Sequence, residues 1–142
     1  MKRQFSIVLL FFNLLLAAIG LSSCGSSSQV PLLSQSTPRG AFLLFKNSLD
    51  SNDIGGATRL MAHPSGRTFL AIEQYEMRDE VARLQRVLNK AQVTAISPAE
   101  CVEQNCRMVV EFDYSNKINI QTSRIGDRWF ITAIGESLSH DD

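Results

Sequence analysis

Ile118-Asn119-Ile120-Gln121-Thr122-Ser123-Arg124-Ile125-Gly126-Asp127-Arg128-Trp129-Phe130-Ile131-Thr132-Ala133-Ile134 reads as two strands folded about Gly126-Asp127. Apolar and polar residues alternate with a period of two, β-formers dominate, and a glycine stands in the two-residue connection. That turn sets Thr122 opposite Ile131 and Arg124 opposite Trp129. Upstream, Val93 to Cys101 and Cys106 to Tyr114 alternate in the same way. Placing Cys101 opposite Cys106 sets Ala99 against Met108, Ser97 against Val110, Ala95 against Phe112 and Val93 against Tyr114. A loop at Ser115-Asn116-Lys117 then brings Tyr114 to Ile118 and Phe112 to Ile120. All of these share one mainly apolar face, and a slip of one residue would turn every side chain over. The other face carries Arg107, Glu111, Asp113, Asn119, Gln121 and Arg128, interrupted by Val109, Ile125, Phe130 and Ile134. The second half of the chain therefore predicts an antiparallel sheet with one core face and one largely wet face.

The first half has helical periodicity. Thr37-Pro38 offers an N-cap followed by proline at the first helical position. Ala41, Phe42, Phe45 and Leu49 then fall at helical spacing. Ser51-Asn52-Asp53 ends that helix and caps a short second one, Ile54 to Met61, which Gly55 and Gly56 weaken. Pro64-Ser65-Gly66 is a turn. From Thr68 to about Asn89 runs a long amphipathic pattern through Phe69, Ile72, Met77, Val81, Leu84, Val87 and Leu88. Asp79 and Arg83 stand four apart in the favourable order. The expected class is α+β, with N-terminal helices packed on a strongly curved antiparallel sheet.

The N-terminus supplies an address. Met1-Lys2-Arg3-Gln4 is basic, Phe5 to Leu21 is almost wholly apolar, and Leu21-Ser22-Ser23-Cys24 follows. This is the layout of a secretory signal. The last four residues resemble the lipobox of bacterial lipoproteins, which implies a diacylglyceryl group on Cys24 and a mature chain starting there. The alternative is an uncleaved helix, since a run of 17 residues, Asn13 in its middle, reaches the short edge of a membrane span. On the lipoprotein reading residues 1–23 are signal, 24–36 are the lipidated Cys24 and a Ser-rich flexible tether, 37–136 are the domain and 137–142 are a tail. Residues 25–36 span at most ~40 Å extended and roughly 20 Å as a coil. Gly25 stands where an aspartate would resemble an inner-membrane retention signal. The resemblance thus implies the outer membrane, facing the periplasm.

Charge and cysteines narrow the field. The whole chain balances 14 basic against 14 acidic residues. Lys2 and Arg3 leave with the signal, so the mature chain is slightly acidic, with no basic stripe for nucleic acid. Cys101 and Cys106, on one face of an antiparallel pair, suit a disulfide in an oxidising compartment. Free thiols are the alternative, and two sulfurs without a neighbouring histidine make a poor zinc site.

Three helices, then an antiparallel sheet ending in Trp129-Phe130-Ile131-Thr132-Ala133-Ile134, resemble the NTF2-like cone fold. The closing hairpin is similar to the glycine-x-Trp-x-Ile ending of that family. The resemblance covers about residues 37–135 and implies a pocket enclosed by the sheet, used for dehydration or isomerisation in some members and for binding alone in others. Fold does not choose between these. The candidate pocket residues are Tyr114, Thr122, Arg124 and Trp129, with His63 at the mouth. Arg124 either stacks on Trp129 or extends past the sheet end to water. His63 either lines the pocket or lies exposed in its turn. Glu73, Glu76, Asp79 and Glu80 lie on the charged side of the long helix, and His140 lies in the tail.

No catalytic set, cofactor motif or metal cluster is legible. The expectation is a membrane-anchored, non-catalytic binding module of the cell envelope, taking an envelope protein or a small amphipathic ligand. Its rivals are a small dehydratase or isomerase using His63 or Glu73, and a structural accessory subunit of an envelope complex. A homodimer through Val109, Ile125, Phe130 and Ile134 on the outer sheet face is a further expectation.

Overall fold

A computed structural model of the chain describes residues 33–136. The signal segment, Cys24, residues 25–32 of the tether, and the tail with His140 lie outside the described residues. Helix α1, Pro38–Asp50, begins as its sequence dictates: Thr37 is extended, and its hydroxyl accepts the Gly40 N–H at 3.0 Å. Ala41, Phe42, Phe45 and Leu49 form its buried stripe, each fully shielded from solvent. Asn52 turns left-handed at φ 57°, and Asp53 then caps helix α2, Ile54–Arg59, by accepting the Gly56 N–H at 2.8 Å. A Cβ on Gly56 would collide with that carboxylate, so glycine here permits the cap.

Helix α2 stops two residues before the expected Met61. Leu60 and Met61 leave the helix because β7 takes them: Ile131 donates its N–H to the Leu60 carbonyl at 2.9 Å, and Met61 bridges Ile131 in parallel. The chain then forms a small hairpin, β1 (Ala62–His63) and β2 (Arg67–Thr68), around the Pro64-Ser65-Gly66 turn, where Gly66 adopts φ 79°. Because Arg67 and Thr68 are paired, helix α3 starts at Ala71 and runs to Leu88. Its first turn is held by Glu73, whose carboxylate accepts the Leu70 N–H at 2.8 Å. Of the expected pair on this helix, Arg83 bonds Glu80 at 3.2 Å, one turn position closer than Asp79.

The sheet comprises β3 (Val93–Ile96), β4 (Glu100–Val102), β5 (Asn105–Phe112), β6 (Asn116–Ile125) and β7 (Arg128–Glu136). It is antiparallel in the order β3-β5-β6-β7, with β4 also paired to β5. The single expected strand from Val93 to Cys101 is thus two pieces. Pro98 lies in the break, since proline has no N–H to give the ladder. Cys101 does pair with Cys106, as the alternation predicts. Beyond the break the register moves by one, pairing Ile96 with Val110, and moves again to pair Val93 with Phe112. The expected partners of Val93, Ala95 and Ser97 are corrected accordingly: Val93 pairs with Phe112, Ala95 with Glu111, and the Ser97 N–H donates to the Val109 carbonyl. The shift turns the larger Ile96 towards the core and leaves Ala95 exposed.

Between β5 and β6 the turn is Asp113-Tyr114-Ser115, two residues earlier than expected, so Ile118 pairs four residues further back on β5; Asp113 and Tyr114 stand at φ 50° and 63°. Met108 therefore faces Ile120, and Val110 faces Ile118. An even displacement preserves the faces, so the same residues remain on the apolar side. The β6–β7 register agrees at Thr122–Ile131 and Arg124–Trp129. A bulge between Gln121 and Thr122 then pairs Ile120 with Ile134.

The resulting α+β domain has one core. Phe42, Phe45, Leu49 and Val81 from the helices meet Met108, Val110, Phe112, Ile120 and Ile131 from the sheet. Phe42 and Phe112 pack edge to face, 6.3 Å between ring centres.

Candidate functional site

The structure does not bring Tyr114 to the other candidate pocket residues. Tyr114 sits in the β5–β6 turn with its side chain 80% exposed. Arg124 and Trp129 are cross-strand neighbours at the opposite end of β6, beside the Gly126-Asp127 turn. Eight residues of strand separate these ends, about 26 Å. Thr122 lies between them, buried on the core face, and donates its hydroxyl proton to the Cys106 carbonyl at 3.4 Å. Arg124 is exposed and Trp129 half-buried. Among the described residues, the guanidinium seated on a ring is Arg128, 5.7 Å from the centre of Phe130.

His63 is half-buried at the start of the small hairpin. Its Nδ1 accepts the Ser65 N–H at 3.1 Å and lies 2.8 Å from the Ser65 hydroxyl, and its ring meets Phe69 edge-on at 6.4 Å. Accepting a backbone proton at Nδ1 leaves the proton of the neutral ring on Nε2. Glu73, the carboxylate of the enzymatic rival, is clasped by Arg67 through two hydrogen bonds of 2.7 and 2.6 Å. That clasp, aided by the Leu70 N–H, lowers its pKa from 4.5 to about 2. A general base for neutral pH needs the opposite displacement.

The core side of the sheet is packed by the protein itself. Phe42, Phe45, Phe112, Met108, Ile120 and Ile131 fill it at no more than 2% exposure. Clefts are found on the surface. Two adjoin the disulfide hairpin: one, of about 410 Å³, runs from Pro64 and Ser65 past Glu103 and Asn105 to Arg124, and the other, about 320 Å³, includes Cys106 and Thr122. Cys101 and Cys106 are joined at their sulfurs, 2.00 Å apart, across a pair whose Cα atoms are 4.0 Å apart.

A third cleft is apolar. Leu84, Val87 and Leu88 of α3 form one wall and Ile118 and Ile134 the other, with Arg83 at the rim and a volume of about 260 Å³. Val87 is 72% exposed there, and Leu84, Ile118 and Ile134 are partly covered. The β6–β7 bulge builds this groove, because it rotates Ile134 from the outer face towards α3. The expected outer patch is corrected by the same geometry. Ile134 has left it, and Phe130 is buried at 5% exposure under Arg128. The trace in the sequence is the phase of the apolar residues in β7, which fall at 129 and 131 and then at 134.

Among the described residues no three His, Cys, Asp or Glu side chains gather as metal ligands, and no helix is long and apolar enough to cross a membrane. Comparison of the chain with protein-family models, curated proteins and solved structures finds no match.

Proposed function

We propose that the protein is a lipoprotein anchored through Cys24 in the bacterial envelope, outer membrane by the Gly25 argument, whose NTF2-like domain acts by binding and performs no chemistry. The groove between α3 and the β6–β7 ends carries this reading. Its walls are Leu84, Val87, Leu88, Ile118 and Ile134, and the exposed Val87 leaves apolar surface that nothing among the described residues covers. Such a strip suits the acyl or aromatic part of an amphipathic ligand, with Arg83 at the rim for its polar end.

Two further observations favour binding over catalysis. The interior, where the resemblance implies a reaction pocket, is packed with phenylalanine and aliphatic side chains. His63 and Glu73, the groups a proton transfer would use, are committed to Ser65 and Arg67. The test is titration of the full chain in mild detergent with a fluorescent fatty acid. Saturable binding that Val87→Asp abolishes supports the groove. Absence of binding, or binding that Val87→Asp leaves intact, removes it.

A further inference from the structure

Helices α2 and α3 face each other across a cleft of about 270 Å³ remote from the apolar groove. Its walls are helical stripes: Gly55, Thr58 and Arg59 from α2, and Ala71, Gln74, Tyr75 and Arg78 from α3. These spacings of three, four and seven are those of a helix face that normally packs on a neighbour. Here the stripes carry hydrogen-bond donors where apolar contacts would be expected. Gln74 brings an amide, Tyr75 a phenol, and Arg59 and Arg78 bring two guanidinium groups.

The two arginines converge on one point. A Cβ built on Gly55 would lie 3.6 Å from Nη1 of Arg59 and 3.8 Å from Nη2 of Arg78. Neither has a carboxylate within ion-pair distance among the described residues, whereas Lys46, Arg67, Arg83, Lys117 and Arg128 each do. The Gln74 amide and the Tyr75 hydroxyl likewise have no hydrogen-bond partner among the described residues. Two like charges aimed at one spot repel unless an anion lies between them. Glycine at position 55 keeps the wall bare where a side chain would fill the space between the guanidinium groups.

One carboxylate borders the cleft. Asp53 Oδ1 lies 3.8 Å from the same point, but it is already engaged in capping α2 through the Gly56 N–H. Two cations against one anion leave a net positive cleft. Donors approach from both helices, and a planar carboxylate has too few oxygens in too few directions to use them all. A tetrahedral oxyanion does, and guanidinium forks match phosphate oxygens in pairs.

We propose that the α2–α3 cleft binds a phosphate group, clamped by Arg59 and Arg78 with Gln74 and Tyr75 as further donors. The phosphate belongs either to a soluble ion or ester or to a lipid headgroup of the membrane that holds the chain.

The experiment is calorimetric titration of the full chain with inorganic phosphate, at constant ionic strength, in nanodiscs of phosphatidylcholine. One saturable site is expected. Arg59→Gln and Arg78→Gln should each weaken it by about tenfold or more, as for loss of one charge-assisted contact. Arg78→Lys keeps the charge and loses the fork, so it too should weaken binding. Asp53→Asn retains an N-cap acceptor and removes the neighbouring negative charge, so it should tighten binding. Both arginines are exposed, and their variants should keep the thermal midpoint of the parent in chloride.

Adding phosphatidic acid to the nanodiscs separates the two sources. A rise in the apparent Kd for phosphate that disappears in Arg78→Gln assigns the site to a headgroup. An unchanged Kd assigns it to a soluble phosphate. Absence of saturable binding into the tens of millimolar, or equal affinity in the parent and both glutamine variants, overturns the proposal. That failure would leave the apolar groove and its fatty-acid test untouched.

Discussion

Arg67 and Glu73 close the entrance to α3 as a two-pronged clasp, with the guanidinium on the hairpin and the carboxylate in the first helical turn. The same carboxylate holds the Leu70 N–H, so one side chain ties the β2 strand to the helix start. Leu70 has no side-chain acceptor of its own for the cap, and Glu73 supplies the half of a capping box that remains.

A pH dependence results from this clasp. The folded pKa of Glu73 is lowered to about 2 from 4.5, so its stabilising contribution is fully present above pH 4.5. It is lost as pH falls from 4.5 towards 2, where the folded state too takes up the proton. Glu73→Gln should flatten the fall in stability across that window. Urea unfolding at a series of acid pH values checks it, and parallel curves for the two proteins would refute it.

Lys46 is 5% exposed, and its ammonium lies 2.6 Å from both oxygens of Asp50, one of which also accepts the Lys90 N–H at 3.0 Å. Removing the acid leaves a shielded cation and a loop N–H without partners. Asp50→Ala should therefore cost about 2–3 kcal/mol, the low side for a pair that is only partly buried. Lys46→Met fills the same space without a charge and should cost under about 1 kcal/mol. Chemical denaturation of the two variants reads the asymmetry directly.

The Cys101–Cys106 bond closes a short hairpin, whose turn residue Glu103 takes φ 53°. Short loops gain little from closure in the unfolded chain, so breaking the bond should lower stability by about 1–2 kcal/mol. Reduction with a strong thiol reductant, followed by denaturant titration, should leave a folded protein with an earlier midpoint. A Cys101→Ala, Cys106→Ala double variant should match it.

Phe130 is enclosed beneath Arg128, and its ring belongs to the fold rather than to a contact surface. Phe130→Glu should lose about 3–5 kcal/mol for the ring alone. Circular dichroism melting should show the loss. A fully stable variant with an altered sedimentation coefficient would instead restore the outer sheet face as an interface.

Much of this domain is legible in its sequence, for reasons tied to particular residues. Thr37 and Pro38 start α1 because capping is local chemistry, and Gly126 fixes the β6–β7 turn for the same reason. The Cys101–Cys106 pairing is recoverable because period-two alternation leaves one face for both sulfurs. Register across the sheet is less local. Asp113 and Tyr114 both adopt left-handed backbone, which aspartate tolerates but tyrosine does not announce, and so the β5–β6 turn lies earlier than its composition suggests.

The candidate site is where local signals fail. The β6–β7 bulge moves Ile134 by half a period, which creates the groove and takes Ile134 out of the outer patch. Met61 leaves its helix because Ile131, 70 residues later, offers a bridge. Arg59 and Arg78 look like ordinary solvated charges until the packing of α2 on α3 brings them to Gly55. Each of these is a long-range contact, and only the bulge leaves a local trace, in the phase of the β7 apolar residues at 129, 131 and 134.

Native mass spectrometry of the full chain, extracted from its host envelope in mild detergent, reads the anchor and the groove in one spectrum. A lipidated binding module gives a chain that begins at Cys24, carries a diacylglyceryl group, and retains an amphipathic species that Val87→Asp releases. A chain that keeps residues 1–23, or one equally free of bound species with and without Val87→Asp, would contradict it.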